Sequence, residues 1–134
     1  MAAEPQVELK QRKAERVGLS GLWRIVWTLK NLARDPLCVA SVRFPHQLFK
    51  SPERTFEPPR NLNEHVETEF EQLLQCDSGP GLVSENAFAI FYVTWIGSDW
   101  RIFVRLKVIV NVDGSPQATT ELITTQKAGF SGVE

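Results

Sequence analysis

From residue 87 to 126 (AFAIFYVTWIGSDWRIFVRLKVIVNVDGSPQATTELITTQ) apolar and polar positions alternate with a period of two, interrupted by two sets of turn residues. This period belongs to half-buried strands, and the interruptions predict a meander of three antiparallel strands. Turn chemistry at Gly97-Ser98 places Trp95 opposite Trp100, whether the loop holds two residues or four. Val93 then faces Ile102, Phe91 faces Val104 and Ala89 faces Leu106, so one side is wholly apolar and belongs to the core. The reverse side pairs Thr94 with Arg101, Tyr92 with Phe103, Ile90 with Arg105 and Phe88 with Lys107. It mixes aromatic and cationic groups and is the candidate functional surface.

The second turn, Asn111-Val112-Asp113-Gly114, predicts a three-residue loop with a bulge. Leu122 then meets Val104, Ala118 meets Val108, and Glu121 lies beside Arg105. A two-residue loop would press Glu121 against Leu106 inside the core, where an unpaired carboxylate costs several kcal/mol.

Upstream the pattern lengthens. Ser20 can cap a helix over residues 21–34, ended by Asp35-Pro36, with Arg24, Thr28 and Asn31 on a narrow polar strip. Leu22, Trp23, Ile25, Val26, Trp27, Leu29, Leu32 and Ala33 occupy the rest of its girth, so this helix must be covered by something. A short strand follows over residues 37–44, and residues 45–60, with four prolines, read as a long surface excursion. Asn61 or Asn63 caps a second helix to about residue 75, with Val66, Phe70, Leu73 and Leu74 on one stripe. Residues 77–81 (DSGPG) form the turn into the meander. The order α-β-α-β-β-β predicts an α+β domain, an antiparallel sheet of about four strands with two helices packed on it. Residues 1–18 read as a frayed or flexible arm, 19–126 as a single domain and 127–134 as a flexible tail. The helix-then-curved-sheet order is similar to cone-shaped NTF2-like or cystatin-like layouts, an analogy of architecture that implies no function.

Composition narrows the classes further. The formal charge of −1 gives no global attraction to nucleic acid or to an anionic membrane. Locally, Lys10, Arg12, Lys13 and Arg16 make one end basic, and Glu64, Glu67, Glu69, Glu71 and Asp77 make another segment acidic. Two cysteines, Cys38 and Cys76, are too few for a disulfide scaffold and suit a reducing, cytoplasmic setting. The chain has neither a signal-like h-region nor an apolar run of about 18 residues.

No chemistry-bearing constellation assembles. His46 and His65 lack the cysteine or carboxylate neighbours of a zinc site. On one helix Cys76 and His65 would stand roughly 16 Å apart, too far for a nucleophile and its base. The expectation is therefore no catalytic residue, no metal and no cofactor. The predicted activity is a non-enzymatic interaction module: an adaptor, an assembly factor or a small subunit of a complex. Its partner is another protein or a second copy, bound through Tyr92, Arg101, Phe103, Arg105 and Lys107, with Trp23 and Trp27 on the first helix as a further contact. A pocket between the sheet and the first helix and a single-stranded nucleic-acid platform are the alternatives. The net charge argues against nucleic acid. A membrane surface is disfavoured because Arg24 stands almost alone on the polar strip.

Overall fold

The structure, a computed structural model, describes residues 4–18 and 21–128. Its chain is extended where helices were expected. Eight strands follow one another: β1 (Val7–Val17), β2 (Leu22–Asn31), β3 (Leu37–His46), β4 (Phe49–Leu62), β5 (Glu67–Gln75), β6 (Val83–Trp95), β7 (Ser98–Val110) and β8 (Pro116–Lys127). They form one antiparallel sheet in the order β1-β2-β5-β4-β3-β6-β7-β8, which curls until β1 approaches β8 as a nearly closed barrel. The α+β expectation, with two helices on about four strands, is thus corrected to an all-β fold without a helix among the described residues. The cone-shaped analogy falls with the helices that supported it.

The first expected helix is β2. Trp23, Ile25, Trp27 and Leu29 point inward and are buried, whereas Arg24 and Lys30 alternate with them at half-exposed positions. Val26 and Thr28, also almost covered, fill the outward positions between and hide the period of two. The second expected helix is β5, where Phe70, Gln72 and Leu74 face inward while Glu67, Glu69 and Glu71 face water. Leu73, assigned to the apolar stripe, is 47% exposed instead. Most of the expected arm is β1, anchored by Val7 and Leu9 in the core, and the proline-rich excursion is β4. The tail begins inside β8, which runs to Lys127. Ser20 and residues 129–134 lie outside the described residues.

The core is aromatic. Trp27 is fully buried and stacks on Phe44 at 5.4 Å, and Phe49 meets both rings edge-on at 6.2 and 5.9 Å. Burying each such side chain contributes roughly 2–3 kcal/mol. Asn31, equally buried, is fully used: its Nδ2 donates to the Asp35 and Leu62 carbonyls at 3.0 and 2.9 Å, and its Oδ1 accepts from the Ala33 amide at 2.9 Å.

Two seams lack a continuous backbone ladder. β4 carries Pro52, Pro58 and Pro59, which have no amide hydrogen, and it pairs with β5 only between Lys50 and Gln75. Side chains cross this gap. Arg54 donates to the Glu71 carbonyl, and Arg60 donates to the Glu69 carbonyl at 3.0 Å and to the Thr68 hydroxyl at 2.7 Å. Beneath both guanidinium groups lies Phe56, 5.2 and 4.8 Å away. At the other seam Gln11 substitutes for a strand residue, donating to the Pro116 carbonyl at 2.9 Å and accepting from the Ala118 amide at 2.7 Å.

The meander keeps its expected faces with a changed register. Trp95 opposes Ser98, Val93 opposes Trp100, Phe91 opposes Ile102 and Ala89 opposes Val104, a slip of two residues that leaves every side chain on its assigned side. The loop is Ile96-Gly97, both with positive φ (48° and 72°), as a type I′ turn requires. At the second turn Ala118 opposes Val108 as expected, but a bulge at Glu121 turns Leu122 outward against Arg105 and brings Ile123 to Val104. Glu121 stays in water.

Candidate functional site

The sheet β3-β6-β7-β8 presents its polar side as rows of residues. Ser41, Tyr92, Arg101 and Gln126 form one row, and Arg43, Ile90, Phe103 and Thr124 form the next. Phe88, Arg105 and Leu122 make a third, with Lys107 and Thr119 beyond it. Alternation along each strand puts these side chains outward because their neighbours Phe91, Val93, Ile102, Val104 and Leu106 fill the core. Tyr92, Phe103, Arg105 and Lys107 are half-buried, Arg101 is exposed, and Ile90 in their midst is almost covered.

Five of the residues expected to bind a partner, Tyr92, Arg101, Phe103, Arg105 and Lys107, are therefore gathered on one surface. Arg101 stands directly opposite Tyr92, its guanidinium 5.5 Å from the ring centre. Both line a depression of about 280 Å³ with Ala40, Thr94, Asp99 and Trp100. Asp99 is occupied locally, accepting from the Thr94 hydroxyl at 3.1 Å. The other two expected residues are elsewhere. Trp23 is 4% exposed beneath Arg16, whose guanidinium lies 4.7 Å from the ring, and Trp27 is wholly inside the core. Neither has surface to offer a partner, and the membrane-surface reading built on them loses its helix. No helix of the described residues is long and apolar enough to cross a membrane.

Sequence reasoning missed Arg43. It joins the face because β3 pairs with β6 and sets Arg43 opposite Ile90, a non-local pairing that no local pattern announces. Arg43, Arg101, Arg105 and Lys107 make no ion pair with a carboxylate among the described residues. The Nε of Arg105 is buried without a hydrogen-bond partner among the described residues. The face is thus an uncompensated cationic strip laid over aromatic and aliphatic groups. The acidic row of β5 differs: Glu71 pairs with Arg24 at 3.8 Å, and Arg54 and Arg60 lie alongside.

The remaining candidates carry less. No group of three metal-ligating side chains occurs among the described residues. His46 Nδ1 accepts from the Leu48 amide at 3.1 Å within its turn. Cys38 and Cys76 are free thiols, and burial pushes the Cys76 thiol above its ordinary range. An apolar groove of about 430 Å³ between β1 and β8 is lined by Val7, Leu9, Leu32 and Ile123. No family model matches the chain, and no curated protein matches it.

Proposed function

We propose that the protein is a non-enzymatic binding module, serving in the cytosol as an adaptor, assembly factor or small subunit of a complex. Its docking surface is the outer face of β6 and β7 with Arg43 beside them. One observation carries this reading: four cations that make no ion pair with a carboxylate among the described residues stand in register with Phe88, Tyr92 and Phe103 on one hydrogen-bonded sheet. Tyr and Arg anchor interfaces more often than other residues, and a strand holds them at low entropic cost. Another protein is a better occupant than a second copy, because in the chain's own acidic row Glu71 is already paired with Arg24, and the Arg54 and Arg60 guanidinium groups, bonded to the Glu71 and Glu69 carbonyls, stand beside that row. The alternative of a ligand pocket under a first helix has no helix to enclose it, and aromatic rings fill the corresponding interior.

The test is recovery of a partner from native cells with identification by mass spectrometry, comparing the wild-type chain with Tyr92→Ala/Arg101→Glu. The double variant retains the fold, since both side chains lie outside the core, and loses that partner. Unchanged recovery overturns the assignment.

A further inference from the structure

We infer that this face recognises an extended acidic segment of a partner protein, with the pattern acid, any residue, apolar, any residue, acid, any residue, acid. The inference rests on the docking surface proposed above and adds the chemistry of its occupant. Along β7 the outward residues are Arg101, Phe103, Arg105 and Lys107, and in a strand alternate side chains repeat at about 6.6 Å. A peptide lying extended over the sheet has the same repeat. Carboxylates can therefore meet Arg101, Arg105 and Lys107 at once, while the position between the first two carries an apolar side chain onto Phe103 and Ile90. The centre of the motif is Arg105, which is half-buried, stands opposite Phe88 and makes no ion pair among the described residues. A carboxylate there accepts from the two terminal nitrogens together, a paired geometry in which arginine binds carboxylates with direction as well as charge. Arg101 is held in place by Tyr92 and Lys107 supplies a point charge at the end of the row.

A nucleic-acid strand fits this row less well. Its backbone carries a charge on every unit, so a phosphate would fall on Phe103 and Ile90 at the one uncharged step. The net charge of −1 adds no long-range attraction for it.

The experiment titrates the full chain with three labelled probes and reads fluorescence anisotropy. They are the peptide Glu-Ser-Leu-Ser-Glu-Ser-Glu, its permuted isomer Glu-Glu-Glu-Leu-Ser-Ser-Ser, and an oligothymidylate of equal length. The spaced peptide is expected to bind at least tenfold tighter than the isomer, and Arg105→Gln to bring the ratio close to one without altering the melting temperature. A charge exchange provides the second check. Arg105→Glu weakens the spaced peptide and restores binding to a version with Lys at the middle acidic position. Equal affinity for the two peptides, no binding of either, or tighter binding of the oligothymidylate overturns the inference. Any of these, with partner recovery still abolished by Tyr92→Ala/Arg101→Glu, leaves the docking surface standing and removes only its assigned occupant. Retained recovery in that double variant removes the surface itself.

Discussion

The Trp95 and Trp100 rings meet edge to face with centroids 6.0 Å apart and planes at 77°, although the two residues are not cross-strand partners. Trp95 stands opposite Ser98 and Trp100 opposite Val93, so the contact is diagonal across the hairpin. Diagonal neighbours lie within reach of aromatic side chains on the same face, which lets the slipped register keep the pair that the direct register would have made. Trp95 is buried and Trp100 only partly so. Trp95→Ala should therefore cost about 3–5 kcal/mol in urea unfolding and Trp100→Ala clearly less. Equal costs would show that the two rings share one environment.

The turn that sets this register holds a β-branched residue, Ile96, at φ 48°, with its side chain 61% exposed. A left-handed conformation costs an L-residue roughly 1–2 kcal/mol, and asparagine tolerates it better. Ile96→Asn creates the favoured Asn-Gly pair of a type I′ turn and should stabilise the protein by about 0.5–1 kcal/mol. A lower melting temperature would contradict this account of the loop.

Asn31 satisfies two carbonyls and one amide that otherwise end inside the protein, tying the start of the β2–β3 connection to the end of β4. Asn31→Leu keeps the branching at Cγ with bulkier methyl groups and supplies none of these bonds. Orphaned buried polar groups cost about 1–3 kcal/mol each, so the variant should lose at least 3 kcal/mol or fail to fold. Asn31→Asp keeps the acceptor but turns a second carboxylate oxygen toward the two carbonyls, so it should cost at least as much as Asn31→Leu.

At the proline-bearing seam, Arg54 and Arg60 supply bonds that a backbone ladder normally provides. Arg54→Ala/Arg60→Ala should cost about 2–3 kcal/mol, since hydrogen bonds from charged donors are worth about 1.5–3 kcal/mol each before solvent screening reduces them. Hydrogen exchange should quicken in β5 while β6 and β7 stay protected. Uniform quickening would mean that the arginines support the whole fold and not this seam.

The carboxylate of Asp113 accepts from the Ser115 hydroxyl at 2.6 Å and from the Ser115 amide at 2.9 Å, which holds its pKa below the ordinary carboxylate value. A depressed folded-state pKa contributes stability that is complete above the unfolded value of about 3.9 and is lost as pH falls through the lower folded value. The wild type should melt above Asp113→Ala at neutral pH, with the gap closing below about pH 4. A gap that persists at the most acidic point would exclude the carboxylate as its source.

What was legible in the sequence is local. The meander's alternation assigned inward and outward residues on β6 and β7 correctly, because a slip of two preserves both faces. It brought out Tyr92, Arg101, Phe103, Arg105 and Lys107 as one surface. The helices were misread for a specific reason. In β2 the outward Val26 adds an apolar residue to the inward Trp23, Ile25, Trp27 and Leu29, so that apolar groups seem to encircle a helix. In β5 a buried Gln72 beside an exposed Leu73 exchanges the expected polarities, and Val66, Phe70, Leu73 and Leu74 then imitate a helical stripe. Prolines argued against a strand at β4, yet they are tolerated because the side toward β5 needs almost no ladder. Arg43 was invisible because its place depends on β3 meeting β6.

The two seams closed by side chains have a mechanical consequence. Divided along both, the sheet separates into a three-stranded leaf, β1-β2-β5, and a five-stranded leaf, β4-β3-β6-β7-β8, each internally joined by backbone ladders. Between the leaves the surface attachments are mostly side chains from Gln11, Thr120, Arg54 and Arg60, and inside, the rings of Trp27 and Phe70 on the smaller leaf pack against Phe44, Phe49, Phe56 and Phe91 on the larger. Arg43, Tyr92, Phe103, Arg105 and Lys107 all ride on the larger leaf. Their spacing is fixed by continuous hydrogen-bonded strands and owes nothing to the side-chain bonds at the seams.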